Sequence, residues 1–168
     1  RAQTRPYARI LAAVDPSVYD PKRDSLNPLI LQLAATMARK EAAELHVIHV
    51  WNLFGERYLR NSVMSEEDFQ EAKAYEQEQH KLHFYTLLNR VDVTDLKPHL
   101  HLVEGDPDEY IPELVSELGI DLLIMGSVCR TGIAGFLIGN TAEEVLNQVD
   151  CSVLTLKPKG FITPVTLE

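Results

Sequence analysis

From Asp121 to Gln148 the chain reads DLLIMGSVCRTGIAGFLIGNTAEEVLNQ, and this stretch decides the fold. Asp121-Leu122-Leu123-Ile124-Met125-Gly126 is a continuous apolar run of one strand's length. A strand without polar alternation is buried on both faces, as a strand inside a parallel sheet must be. The run leaves through a glycine-bearing loop and enters a helical pattern from Asn140 to Gln148.

Outward from there the same alternation repeats. Arg9-Ile10-Leu11-Ala12-Ala13-Val14-Asp15 reads as a buried strand ending in an acidic turn. Asn27 to Lys40 sets Leu29, Ile30, Leu33, Ala34, Met37 and Ala38 at helical spacing. Pro28 suits the first turn, where its missing N–H has no partner to lose. Glu44 to Trp51 is a second strand. The long segment Asn52 to Val91 follows; its second part is charged and helical, from a capped start at Ser65-Glu66-Glu67-Asp68. Lys97 to Val103 is a third, weakly apolar strand. Asp106-Pro107-Asp108-Glu109 opens a helix through Leu118 with Asp106 as its cap, and Gly119 ends it. Cys151 to Lys157 is the last strand, stopped by Pro158.

The order β-α-β-α-β-α-β-α-β predicts an α/β fold: a five-stranded parallel sheet, Rossmann-like, with helices on both faces. Residues 1–158 read as one domain, and Lys159 to Glu168 as an extended tail. Ligands of such sheets bind beyond the carboxyl ends of the strands, at the point where strand order reverses. Asp15, Val50, Gly105 and Gly126 stand at those ends.

Composition narrows the function. The chain has 168 residues, 45% of them hydrophobic, which fills a single core and argues against disorder. A net charge of -9 leaves no basic stripe for nucleic acid. Two cysteines exclude a disulfide scaffold and a four-cysteine zinc site. No apolar run approaches the roughly 20 residues needed to span a bilayer. Arg1 to Tyr7 is basic and polar and does not read as a secretory leader, so the cytoplasm is the expected compartment.

The segment Met125 to Val145 carries the chemistry. Glycines let backbone N–H groups turn inward, and a helix N-terminus adds unpaired donors with partial positive charge. Together they suit a phosphate; alone, Gly139-Asn140-Thr141 also reads as an ordinary helix cap. A Walker-type G-x4-G-K-S/T loop is absent, and so is a G-x-G-x-x-G after the first strand.

These residues resemble the universal stress protein family. The resemblance runs from Arg9 through Pro158. It rests on Ala13-Val14-Asp15, His49-Val50, Gly105-Asp106-Pro107, Met125-Gly126-Ser127, Gly139-Asn140-Thr141 and the closing Cys-Ser-Val-Leu-Thr-Leu-Lys-Pro strand. It is most similar to the second half of tandem-domain, E-type members. Their loop, helix start and tail have counterparts in Cys129-Arg130-Thr131-Gly132-Ile133, Leu137-Ile138-Gly139-Asn140-Thr141-Ala142-Glu143 and Lys157-Pro158…Thr163-Pro164-Val165. With Arg1 rather than Met at the start, the resemblance implies half of a longer protein.

The resemblance further implies an adenine-nucleotide α-hydrolase-like fold and an ATP or other adenine-nucleotide site, with or without magnesium. Asp15 would meet the ribose or adenine edge and Val50 the adenine through its backbone. Met125 and Gly126 would floor the pocket, and Gly139, Asn140 and Thr141 would hold phosphates. Arg130 is not a family-wide ligand, but its guanidinium could pair with a phosphate. ATP-binding members carry G-x2-G-x9-G-S/T; here Cys129 replaces the second glycine and Asn140 the final hydroxyl residue. Asn140 still caps a helix, whereas a Cβ at residue 129 raises the energy of a positive φ and crowds a phosphate. The implied partner is a second copy or a second domain of the family, paired through Cys151–Lys157.

Other constellations are weaker. His80 and His83 share a helix face, and His99 and His101 a strand face, but neither pair gathers the three or four ligands of a metal site. Surface or satisfied histidines are expected. Cys129 beside Arg130 is a candidate reactive thiol, with an inert residue as the plainer reading. Asp15 and Asp106 lack a nucleophile and base around them, so an efficient enzyme is not expected. The length of Asn52 to Lys81 predicts a flexible lid over the site. The expected function is a stress-response nucleotide sensor. The alternatives are an interaction module with a vestigial pocket, a pocket remodelled for a nucleotide-sugar or acyl group, and a redox sensor.

Overall fold

The computed structural model describes residues 7–16, 26–53, 65–127 and 139–157. Strand β1 (Arg9–Ala13) lies between β2 (Glu44–Trp51) and β4 (Leu122–Gly126). Strand β3 (His99–Glu104) flanks β2, and β5 (Ser152–Leu156) flanks β4. All four pairings are parallel, so the sheet order is β3-β2-β1-β4-β5. The helices are α1 (Leu26–Glu41), α2 (Glu66–Val91), α3 (Pro107–Leu118) and α4 (Asn140–Gln148), with one 3-10 turn at Thr94–Leu96.

Side-chain alternation explains the layers. Ile10 and Ala12 of β1, Leu45 and Val47 of β2, and Leu122 and Ile124 of β4 pack under α1 and α2 with Ile30, Leu31, Ala34, Phe84 and Leu87. Their neighbours Leu11, Ala13, Ile48, Leu123 and Met125 face the other way, against Ile111, Val115, Ala142 and Val145 of α3 and α4. The inner strands are therefore apolar at successive residues, because both of their faces are core.

The ends of the elements follow local chemistry, with two departures from the sequence reading. Ser65 caps α2 as expected, its Oγ accepting from the Asp68 N–H at 3.1 Å. Gly119 ends α3 in the left-handed region at φ +59. Strand β3 starts at His99 rather than Lys97, because Lys97 sits at φ +46 and closes the 3-10 turn. Asp106 holds the cap position of α3 but makes no side-chain cap bond; its carboxylate accepts instead from Asn52 Nδ2 at 3.2 Å, linking the ends of β2 and β3. No helix among the described residues is long and apolar enough to cross a membrane.

The lid expectation fails over part of its length. Residues 66–81 belong to α2, with Phe69 buried and Lys73 paired to Glu104 of β3 at 2.7 Å. Residues 54–64 of that segment lie outside the described residues.

Candidate functional site

Strand order reverses between β1 and β4, since β2 follows β1 on one side and β4 pairs with it on the other. The carboxyl ends of β1, β2 and β4 thus open onto one crevice, with Asp15, Val50 and Gly126 at or just beyond the three ends. The sheet ladder reaches one residue past β1, where the Val14 N–H donates to Ile48 O at 3.0 Å.

Beyond that bond a side chain takes over. Asn27, in the first turn of α1, accepts from the Asp15 N–H through Oδ1 at 2.9 Å and donates through Nδ2 to Asp15 O at 2.7 Å. Asn27 is buried, so both halves of its amide need partners, and the strand end supplies them. Asp15 is held with its backbone fixed just past the end of β1.

Val50 pairs with Val103 of β3 and is half-buried against the α3–α4 core. Met125 is buried and forms part of that core, beneath the crevice. Gly126 does not have positive φ, and a Cβ there would lie 3.5 Å from Leu26 Cδ1 and 3.6 Å from Ile30 Cδ1, an ordinary contact. The fold alone therefore does not require glycine at this position. Gly105 is different: its φ is +146, and a Cβ there would clash with the Tyr110 ring.

Gly139 is the N-cap of α4 with φ -75 and ψ 152, and it has no side chain to cap the helix. Asn140 is the first helical residue and not the cap, which departs from the sequence reading. Thr141 follows in the first turn. Gly139 therefore offers no side-chain acceptor to the amides that open α4. Arg130 and Cys129 lie outside the described residues.

Four residues the sequence reading did not assign to the site adjoin it. One is Asn27. Another is Ser127, whose N–H donates to Leu156 O at 2.9 Å while its buried Oγ has no hydrogen-bond partner among the described residues. The others are His49 and His80. His49 is fully buried at the end of β2; its Nδ1 is 3.2 Å from Val14 O and its Nε2 is 2.9 Å from His80 Nδ1 on α2. Burial pushes the His49 imidazole down to about 4, against the pull of Asp15, and pushes His80 down as well. Contacts between elements far apart in sequence made this pair, so only a helix–strand docking argument would have found it.

The remaining histidines form a second group. His46 stacks on His99 at 4.7 Å and on His101 at 5.5 Å, on the α3 side of the sheet edge. His46 and His101 are both lowered, chiefly by burial. Among the described residues no three His, Cys, Asp or Glu side chains form a group that could hold a metal ion.

The universal stress protein family model matches residues 6–157. The chain is 39% identical over 80 residues to the Universal stress protein E homolog of Haemophilus influenzae, a match covering 48% of this chain and 25% of that protein. A solved Pseudomonas aeruginosa PAO1 protein of unknown function is similar at 33% identity and a TM-score of 0.60, over 94% of this chain and 50% of that one. A solved universal stress protein in complex with cAMP shares the fold at 20% identity and a TM-score of 0.57, over 91% of this chain and 98% of that one. The chain spans about half the length of the Pseudomonas chain and matches a smaller share of the Haemophilus protein.

Proposed function

The chain belongs to the universal stress protein family, and from that premise we propose that it binds an adenine nucleotide in the crevice at the ends of β1, β2 and β4. The protein acts in the stress response as a binding sensor in the cytoplasm, with turnover slow or absent. The single observation that carries this reading is the convergence of Asp15, Val50 and Gly126 at the switch point, with Asp15 pinned by Asn27. The complex of a fold neighbour with cAMP agrees with an adenine-nucleotide ligand.

The residues fit such a group. The Asp15 carboxylate accepts from ribose hydroxyls or the adenine amine. The Val50 backbone meets the adenine edge, over a floor made by Met125 and Gly126. Gly139, Asn140 and Thr141 offer main-chain donors and the Thr141 hydroxyl to phosphate, where the helix dipole favours negative charge. Arg130 adds a charge-assisted bond. Magnesium would enter with a triphosphate through its phosphate oxygens.

A second reading concerns partners. Among the described residues strand β5 pairs on one side only, with β4, and Leu154 on it is half-exposed. An apolar edge strand is a natural seat for another copy or for a second domain of the family. The two readings are compatible.

Calorimetric titration of ATP, ADP and AMP, with and without magnesium, tests the nucleotide reading on wild type and Cys129→Gly. Binding by wild type supports the sensor. Binding by the glycine variant alone means that the Cys129 side chain closes the site to phosphate. Silence in both sinks the nucleotide reading and leaves the interaction module.

A further inference from the structure

The His49–His80 pair links α2 to the strand end that presents Asp15. Carbonyl oxygens only accept, so His49 Nδ1 carries the proton it donates to Val14 O at 3.2 Å. In the neutral ring Nε2 is then an acceptor, and His80 Nδ1 must donate to it at 2.9 Å. His80 is left with a bare Nε2, which lies 3.9 Å from Glu76 Oε2. One orientation of protons thus runs from the Val14 carbonyl through the two imidazoles and ends at His80 Nε2, which faces a carboxylate on α2. The stacked Trp51 ring, 5.4 Å from that of His80, and Phe84 beside His49 fill the flanks with apolar surface.

An added proton enters this relay at His80 Nε2 without breaking either hydrogen bond. The charged and titratable groups acting on the pair are Asp15 from the end of β1 and Glu76 and His83 from α2. The two carboxylates favour the proton, and His83 and burial oppose it.

We infer that the His49–His80 pair makes ligand binding at the Asp15 strand end proton-linked, an imidazolium drawing the Asp15 carboxylate away from a ribose and weakening binding in acid. The inference rests on the nucleotide reading of the crevice and adds its regulation. The ribose hydroxyls and the imidazolium compete for one carboxylate, so each disfavours the other to the same degree. His49 and His80 are positioning residues here: they act through Val14 and Asp15 and need not touch the ligand.

The test is ATP affinity between pH 8 and pH 5.5 for wild type, His80→Asn and Glu76→Gln, with circular dichroism showing each protein folded at each pH. Asparagine places an N–H donor near the position of Nδ1 but takes up no proton. Comparing variants at the same pH cancels the titration of the nucleotide's own phosphates. Wild type should lose on the order of threefold in affinity relative to His80→Asn by the acid end of this range, because burial holds the His80 imidazole below its ordinary value. Glu76→Gln, which keeps both imidazoles, should shift the loss to lower pH. Parallel curves for all three proteins overturn the inference while leaving the nucleotide reading intact. Wild type that binds no nucleotide at pH 8 fails the underlying reading and takes the inference with it.

Discussion

Asn27 grips Asp15 by both backbone groups, accepting from its N–H at 2.9 Å and donating to its carbonyl at 2.7 Å. The two residues stand on different elements, one in the first turn of α1 and the other just past the end of β1. The amide acts as a surrogate strand neighbour where the ladder stops. It also fixes the backbone of the residue proposed to meet the ligand.

Removing this clasp should affect fold and site together. Asn27→Ala deletes two hydrogen bonds in a buried setting and should cost about 2 kcal/mol of stability, read by urea unfolding. Asn27→Asp keeps an acceptor for the Asp15 N–H but turns an oxygen toward the Asp15 carbonyl, so it should be destabilised as well. Wild-type stability in both variants would show that Asp15 is held by something else.

Two glycines should separate folding from binding. Gly105→Ala forces a Cβ into the Tyr110 ring at positive φ and should cost 2 kcal/mol or more, on the order expected for strain added to a clash. Gly126→Ala meets Leu26 and Ile30 at ordinary contact distance and should stay within about 0.5 kcal/mol of wild type. If Gly126→Ala then loses nucleotide affinity at unchanged stability, the glycine serves the ligand. Equal losses of stability in the two variants would contradict the geometry.

Acid should destabilise the protein before its carboxylates titrate. His46, His49, His80 and His101 all bind protons less readily folded than unfolded, with burial the largest cause. The unfolded chain therefore takes up protons first. This contribution is complete above pH 6.5 and is lost as pH falls through 6.5, down to about 4 for His49. The gap for His49 alone corresponds to a loss on the order of 3 kcal/mol. Urea midpoints measured at pH 7.5, 6 and 4.5 should fall throughout, and an unchanged midpoint between 7.5 and 6 would refute the linkage.

The sequence exposes the inner strands because burial on both faces leaves no polar alternation in Ile10–Ala13 or Leu122–Met125. The strand order puts the ends of β1, β2 and β4, and with them Asp15, Val50 and Gly126, side by side. Edges were harder. The left-handed Lys97 displaced the start of β3, and a bond from Asn52 took the Asp106 carboxylate from its cap. Neither is a property of local residue order. Asn27, His49 and His80 were missed for the same reason: their roles arise where α1 and α2 dock onto strand ends. His49 also hides inside an apolar run, where alternation alone cannot tell a relay from a packed core residue.

The edge of β5 supplies the last prediction. Its ladder to β4 runs from Ser152 to Leu156, and its other side offers unpaired backbone donors and acceptors among the described residues. Val153 packs against the α3–α4 core, so the next residue, Leu154, points to the opposite face and remains half-exposed. A lysine at 154 reaches solvent with its ammonium and should change folding stability by less than about 1 kcal/mol. A second sheet edge docked there would instead have to bury that charge. Leu154→Lys is thus expected to convert a dimer to monomers, read by light scattering, at nearly unchanged urea midpoint. A dimer of wild-type mass and affinity in the lysine variant would move the interface away from this edge.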